Sequence, residues 1–127
     1  MIISARFSVV GLFAASCALV AYLSLAPSGT IPQSNEIDKL LHMLGYGGLL
    51  GLGGLVWTGW RIRTVLFASL LVYGGLLEVA QDGLPQHQAS LLDLSANVAG
   101  MLLALIGLML VDRGRRRFLG TSGGTTG

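Results

Sequence analysis

The chain has 127 residues, of which 53% are hydrophobic and only 11% are charged, with a mean hydropathy of +0.73. Soluble domains carry about 25% charged residues, so this composition excludes a soluble globule and indicates a protein that lies in lipid. The net charge of +2 includes four arginines after the last apolar run, where they indicate a cytoplasmic anchor rather than a nucleic-acid site. The single cysteine, Cys17, excludes a disulfide framework within the chain.

Four apolar runs are long enough for transmembrane helices, which need about 20 residues each. We predict spans at about 7–26, 40–60, 64–81 and 91–111, and therefore an all-α membrane protein whose residues 7–112 form a four-transmembrane-helix bundle. Pro27-Ser28-Gly29 ends the first span, and Asp82-Gly83-Leu84-Pro85 ends the third. Arg61 and Arg63 mark a very short turn between the second and third spans.

The first span could instead be a cleaved signal peptide, since Arg6 precedes it and Ser24-Leu25-Ala26 resembles a cleavage site. We expect it to be retained, because the apolar stretch is long for a signal and Pro27 is a poor residue after a cut.

Arginine and lysine in short loops set the orientation of membrane helices, with the basic residues on the cytoplasmic side. All basic residues except Lys39 fall on one side of the predicted spans: Arg6, Arg61, Arg63, Arg113, Arg115, Arg116 and Arg117. We therefore predict that both termini are cytoplasmic. Residues 1–6 form the N-terminal segment, and residues 113–127 form a tail that is first basic and then disordered from Gly120 to Gly127.

Polar residues gather at the opposite, outer end of the predicted bundle. The second helix carries three of them at four-residue steps on one stripe, the third carries two, and the fourth carries two: Asp38, His42, Tyr46, Glu78, Gln81, Asp93 and Asn97. Ionisable groups inside a span are costly and tend to face a bundle interior or a cavity. We predict one outward-facing binding cluster formed by these residues together with Lys39 and His87.

Taken singly, most of these residues have a structural interpretation. Asp38 and Asp93 each follow a helix-capping serine or asparagine, Tyr46 suits a membrane interface, and His42 suits packing. Gln81 and Asn97 could bond between helices. Glu78 fits such interpretations least well, because it lies near a helix end that needs no cap.

Two further patterns favour close packing around the cluster. Small residues recur along the second and fourth spans, including Ala96, Gly100 and Ala104 at four-residue intervals, and such spacing lets helices approach closely. Also, Ile37-Asp38 leads to His42 and Gly45 with the same spacing by which Leu92-Asp93 leads to Asn97 and Gly100. We interpret this match as a remnant of two parallel helix hairpins with a site at their interface.

At these residues the sequence resembles the VanZ-like family. The matching segments cover about residues 37–105: Asp38-Lys39-Leu40-Leu41-His42 with Tyr46, Glu78-Val79-Ala80-Gln81, and Ser90-Leu91-Leu92-Asp93-Leu94-Ser95-Ala96-Asn97-Val98-Ala99-Gly100. The resemblance implies a small multi-pass protein of the bacterial cytoplasmic membrane, in a family named for a member associated with resistance to the glycopeptide teicoplanin. It does not supply a reaction. Relatives often carry an arginine where this chain has His87, which implies an anion contact here only when His87 is protonated.

Three functions compete on these residues, beside a purely structural or assembly role. The first is binding or shielding of a lipid-linked cell-wall precursor or a glycopeptide, since amides, hydroxyls and carboxylates suit sugars and peptides. The second is a membrane-embedded hydrolase that uses a divalent metal, with Asp38, His42, Glu78 and Asp93 as candidate ligands. The third is a proton-coupled transporter with Glu78 as carrier, which four spans would support only in a homodimer.

Overall fold

A computed structural model of the chain describes residues 2–26, 35–83 and 90–121. These residues form four helices: α1 (Ile2–Leu25), α2 (Asn35–Val56), α3 (Trp60–Asp82) and α4 (Leu91–Thr121). All four are long and apolar enough to cross a membrane. The predicted four-helix class is therefore confirmed, and large apolar side chains remain exposed on every helix, where lipid would cover them.

The break between α2 and α3 lies earlier than the sequence indicated. α2 ends at Val56, and the connection is Trp57 to Gly59, so that Arg61 and Arg63 belong to the first turn of α3 rather than to a turn. The prediction of a second span reaching Trp60 was wrong at this end. The physical reason is Gly59, whose φ of +119° is a backbone conformation that only glycine adopts without strain.

α2 and α4 run parallel and form the most extensive helix pair. Contacts along their length keep a nearly constant offset, from His42 with Asn97 to Gly54 with Leu108. Between them, a Cβ on Gly47 would lie 2.8 Å from the Gly100 carbonyl oxygen, and a Cβ on Gly100 would overlap the Met43 carbonyl. The backbones touch because neither glycine has a side chain, which confirms the close approach predicted from the small residues.

α3 packs against both helices of this pair, and the buried core lies where the three meet. Tyr46, Leu50 and Met101 are almost fully buried there. α1 is peripheral: among the described residues it contacts α2 and α3 but not α4. The packing order, which hydropathy cannot give, is therefore a parallel pair covered by α3, with α1 against α2 and α3.

The two ends of the bundle differ in charge. The Arg61 and Arg63 end of α3 lies beside the end of α4, where Arg63 pairs with Asp112. α4 does not stop where the apolar run stops: its helix continues through the arginines to Thr121. The first part of the predicted tail, residues 113–121, is thus a continuation of α4, so the helix includes the first two residues, Gly120 and Thr121, of the segment predicted to be disordered. Arginine is a good helix former, and the backbone hydrogen bonds of the helix continue. Residues 122–127 lie outside the described part.

Candidate functional site

The centre of the polar cluster is a buried contact between α2 and α4. His42 Nδ1 lies 3.0 Å from Asn97 Oδ1, and the two side chains are 91% and fully buried respectively. With Asn97 Oδ1 as the acceptor, a neutral imidazole would carry its proton on Nδ1 and its lone pair on Nε2. The contact therefore orients the ring so that Nε2 faces away from Asn97.

Two carboxylates lie close to this ring. Asp38 Oδ1 lies 4.0 Å from His42 Nε2, too far for a hydrogen bond. Asp93 approaches from the first turn of α4, and one ligand atom from each of the three residues lies within 4.8 Å of the other two. Asp38 is exposed, Asp93 is half-buried and His42 is buried. The cluster therefore extends from the surface of the bundle end into its interior.

Tyr46 lies one helical turn below His42. Its ring is nearly parallel to the imidazole, with an interplanar angle of 4° and ring centroids 6.4 Å apart. The side chain is 1% exposed, so Tyr46 forms the floor of the polar region rather than a belt at the membrane interface. The belt alternative is excluded by this burial.

Glu78 is also buried, but its carboxylate turns toward the start of α4. Ser90, the residue before α4, donates its backbone N–H to Glu78 Oε2 at 3.0 Å. The sequence argument about Glu78 considered only the end of its own helix, whereas in the fold the start of α4 lies beside it. Within the described residues, Glu78 Oε1 and Asn97 Nδ2 are buried without a hydrogen-bond partner. Both atoms lie in the same region between α3 and α4.

Gln81 does not join the cluster. Its Nε2 donates to the backbone carbonyl of Ser24 in α1, and lower in the bundle Tyr73 donates to the carbonyl of Cys17. Two polar side chains of α3 therefore hold the otherwise peripheral α1 in place. The interhelical interpretation of Gln81 is the one that the structure supports.

The remaining predicted site residues contribute less. Lys39 is half-buried beside Asp38, and it takes no part in the hydrogen bonds or ion pairs of the described cluster. His87 lies outside the described residues, so the predicted contact of that side chain with an anion is not addressed by the structure. Of the nine predicted residues, the structure brings Asp38, His42, Asp93, Asn97 and Tyr46 together, and Glu78 lies on the neighbouring face of α3.

A groove between α1 and α2 begins at this cluster. It encloses about 310 Å³ and is lined by His42 and Asp38 at its polar end. Its walls are mostly apolar and come from both helices: Leu19, Val20, Leu23, Leu41 and Leu44. Leu19 and Leu44 are more than half exposed, so the groove opens sideways, toward the region that lipid tails would occupy. No sequence signal indicated this groove, because it depends on how α1 lies against α2.

A second polar site, at the opposite end of the bundle, was also missed. Arg63 is 4% exposed, and it donates to the Gly54 carbonyl at the end of α2 and to the Asp112 carboxylate in α4. One side chain thus joins three helices. The sequence contained a signal for this ion pair, since Asp112 is the only acidic residue beside the arginines of the last span. The orientation argument used only the number of arginines on each side and did not consider their partners.

No family model, curated protein or solved structure matches this chain. The resemblance to the VanZ-like family therefore depends on the segments quoted above, and the functional argument depends on the geometry of the cluster and the groove.

Proposed function

We propose that this is a VanZ-like protein of the bacterial cytoplasmic membrane that binds a lipid-linked component of the cell envelope. The observation that supports this is the groove between α1 and α2, which is apolar along its length and polar at one end. Ligand pockets of about 300–1,000 Å³ with apolar walls and a few convergent polar groups are typical of small-molecule sites. An amphipathic molecule with a lipid tail and a polar head is likewise apolar along its length and polar at one end.

The tail would enter from the side. Leu19 of α1 and Leu44 of α2 are exposed at the mouth of the groove. An acyl chain that leaves the surrounding lipid and contacts these apolar side chains instead loses little free energy. The head would lie at Asp38 and His42. Carboxylate and imidazole groups bind the hydroxyl and amide groups of sugars and peptides by hydrogen bonds, which favours a glycosylated or peptide-bearing head group over a simple phospholipid.

The segregation of arginines supports the orientation of this site. Arg61, Arg63 and the arginines of the last turns of α4 lie at the end opposite to the cluster. With the basic end cytoplasmic, both termini lie in the cytoplasm and the head-group site faces outward, where cell-wall precursors and glycopeptide antibiotics meet. In this proposal the protein shields or holds the precursor without transforming it, and altered susceptibility to teicoplanin is the expected phenotype.

Photocrosslinking in cells tests the groove. A photoreactive amino acid at Leu44 would contact the bound lipid, and the same residue at Leu76 of α3 provides a matched control. The two leucines are 61% and 64% exposed. They also lie at similar depth, because Gly74 of α3 packs against Tyr46.

We expect mass spectrometry to find a lipid with a sugar or peptide head group enriched at position 44 and only bulk phospholipid at position 76. Equal capture of bulk phospholipid at both positions would contradict the proposal. A deletion strain gives an independent result: unchanged susceptibility to teicoplanin would remove the glycopeptide part of the proposal while leaving lipid binding to the crosslinking experiment.

A further inference from the structure

We propose that Asp38, His42 and Asp93 form a binding site for a divalent transition-metal ion, such as Zn²⁺ or Mn²⁺, at the polar end of the groove. The three residues come from the first two turns of two parallel helices, and their ligand atoms lie within 4.8 Å of one another. One imidazole nitrogen with two carboxylates is a donor set suited to these metals, whereas Mg²⁺ and Ca²⁺ prefer oxygen ligands alone.

The orientation of His42 is the observation that separates a metal site from a chance cluster of acids. The side chain is 91% buried, its Nδ1 is occupied by Asn97, and its Nε2 faces Asp38 at 4.0 Å without a hydrogen bond. Histidine ligands commonly donate their second ring N–H to an acceptor, which fixes the tautomer and directs the free nitrogen at the metal. Asn97 supplies that acceptor here.

The electrostatics of the site favour a cation. Asp38 and Asp93 bring two carboxylates into the same small volume at the end of a bundle, where repulsion between like charges is screened less than in water. The helix N-termini stabilise each carboxylate separately, but they do not account for a buried imidazole that turns Nε2 toward Asp38 and has a ring nitrogen within 4.8 Å of a carboxylate oxygen of both residues. A shared cation would neutralise the pair and use that nitrogen.

The distances require a modest contraction on binding. Atoms bonded to one zinc ion at about 2.0–2.2 Å lie roughly 3.3–3.6 Å apart in tetrahedral geometry. The observed separations, 4.0 Å for His42 with Asp38 and at most 4.8 Å within the set, therefore exceed these values by up to about 1.5 Å. Rotation of the exposed Asp38 side chain and of the half-buried Asp93 side chain would shorten them without moving the helices. Glu78, a fourth candidate on sequence grounds, is not in the set, because its Oε2 accepts the N–H of Ser90.

Three protein ligands leave open coordination positions on the cation, and the neighbouring groove leads to them. If the proposed lipid function holds, these positions would accept anionic oxygens of the head group, for which two bare carboxylates would be a poor partner. This consequence rests on the proposed function, whereas the cation site itself does not.

Metal binding to the purified, chelator-treated protein in detergent tests the site directly. We expect equilibrium dialysis with Zn²⁺, and separately with Mn²⁺, followed by elemental analysis, to show saturable binding at about one ion per chain. His42→Gln and Asp93→Asn should each weaken binding at least about tenfold. Glu36→Gln is the matched control, because Glu36 is an exposed acid in the same first turn as Asp38, and its binding should be unchanged.

Substitutions of Asn97 test whether this residue orients the His42 ring for metal binding. Asn97→Ala should weaken metal binding by about 10–100-fold, the usual effect of losing the partner of a histidine ligand, and Asn97→Asp should restore it because a carboxylate also accepts from Nδ1. Circular dichroism and gel filtration establish that each variant is folded. Should a variant fail to fold, the absorption spectrum of Co²⁺ bound to the unaltered chain reports imidazole and carboxylate coordination without any substitution.

Absence of saturable binding of both metals, or equal binding by His42→Gln, Asp93→Asn and Glu36→Gln, would overturn the proposal. Crosslinking at Leu44 in metal-free protein then separates the two ideas. Lipid captured without metal binding refutes only the cation site, and metal bound without a selective lipid refutes only the proposed function.

Discussion

The side chains of His42 and Asn97 are joined at 3.0 Å, and the two residues occupy equivalent positions in the two matching segments of the chain, 55 residues apart. Equivalent positions of two parallel helices meet when a twofold axis runs between the helices. The same relation brings Asp38 and Asp93 to one cluster. The match of Asp38 and His42 with Asp93 and Asn97 therefore has a spatial counterpart. It does not extend to the glycines, because Gly45 faces Val20 of α1 whereas Gly100 packs against the Met43 backbone of α2.

We predict that His42 and Asn97 are energetically coupled. Interhelical hydrogen bonds in membrane proteins contribute about 0.6 kcal/mol on average and up to about 1.7 kcal/mol, and complete burial places this one toward the upper end. A double-mutant cycle with His42→Ala and Asn97→Ala, measured by reversible unfolding in mixed micelles, checks the coupling. Additive effects of the two substitutions would show that the contact contributes nothing of its own.

We predict that Gly100→Ala forces α2 and α4 apart. The added Cβ would overlap the Met43 backbone, which cannot move as a flexible side chain can, and overpacking of this kind costs about 1–3 kcal/mol. Gly107→Ala is the matched control on the same helix, because nothing lies within 4 Å of its Cβ position. Unfolding midpoints of the two variants give the comparison, and equal midpoints would mean that the close helix approach is absent in the membrane.

We predict that Arg63→Met lowers stability more than Arg61→Met does. Arg63 is buried and its loss leaves both the Gly54 carbonyl and the Asp112 carboxylate without their donor, whereas Arg61 is exposed and surface substitutions usually change stability by less than about 0.5 kcal/mol. Thermal unfolding in detergent measures the difference. If Arg63→Met/Asp112→Asn were no more stable than Arg63→Met alone, the pairing with Asp112 would not be the reason.

We predict that Glu78→Gln is tolerated and Glu78→Ala is not. Gln retains an oxygen that can accept the Ser90 N–H, while Ala leaves that donor unsatisfied at the start of α4, at a cost of about 1–3 kcal/mol. Unfolding midpoints distinguish the two variants. Equal loss in both would show that the negative charge, and not the hydrogen bond, is what the protein uses.

We predict that Glu36 and Arg116 lie on opposite sides of the membrane. Both are exposed and lie at opposite ends of the bundle. In a Cys17→Ala background, a membrane-impermeant maleimide should label Glu36→Cys in intact cells and Arg116→Cys only after permeabilisation. The reverse pattern would invert the orientation and place the polar cluster on the cytoplasmic face.

The number of spans and the gathering of polar residues at one end were readable from the sequence, because both follow from transfer between water and lipid. A run of apolar residues long enough to cross the bilayer leaves few alternatives. Once four spans alternate in direction, Asp38, His42 and Asp93 must lie at the same end as Glu78. The helical step then puts Asp38 and His42 on one stripe of α2. These predictions need only the positions of residues along the sequence and the period of the α-helix.

The partners of each side chain were decided only by the tertiary structure. Lipid is as apolar as leucine, so hydropathy does not say which helix faces meet, and association depends on backbone approach and on a few polar bonds. Gly47 and Gly100 allow α2 and α4 to pair, and that pairing sends His42 to Asn97. With α2 and α4 paired in this way, Gln81 donates to the carbonyl of Ser24, and Glu78 accepts the N–H of Ser90. The groove beside α1 exists for the same reason, since it is the space that this particular packing leaves between two apolar helices.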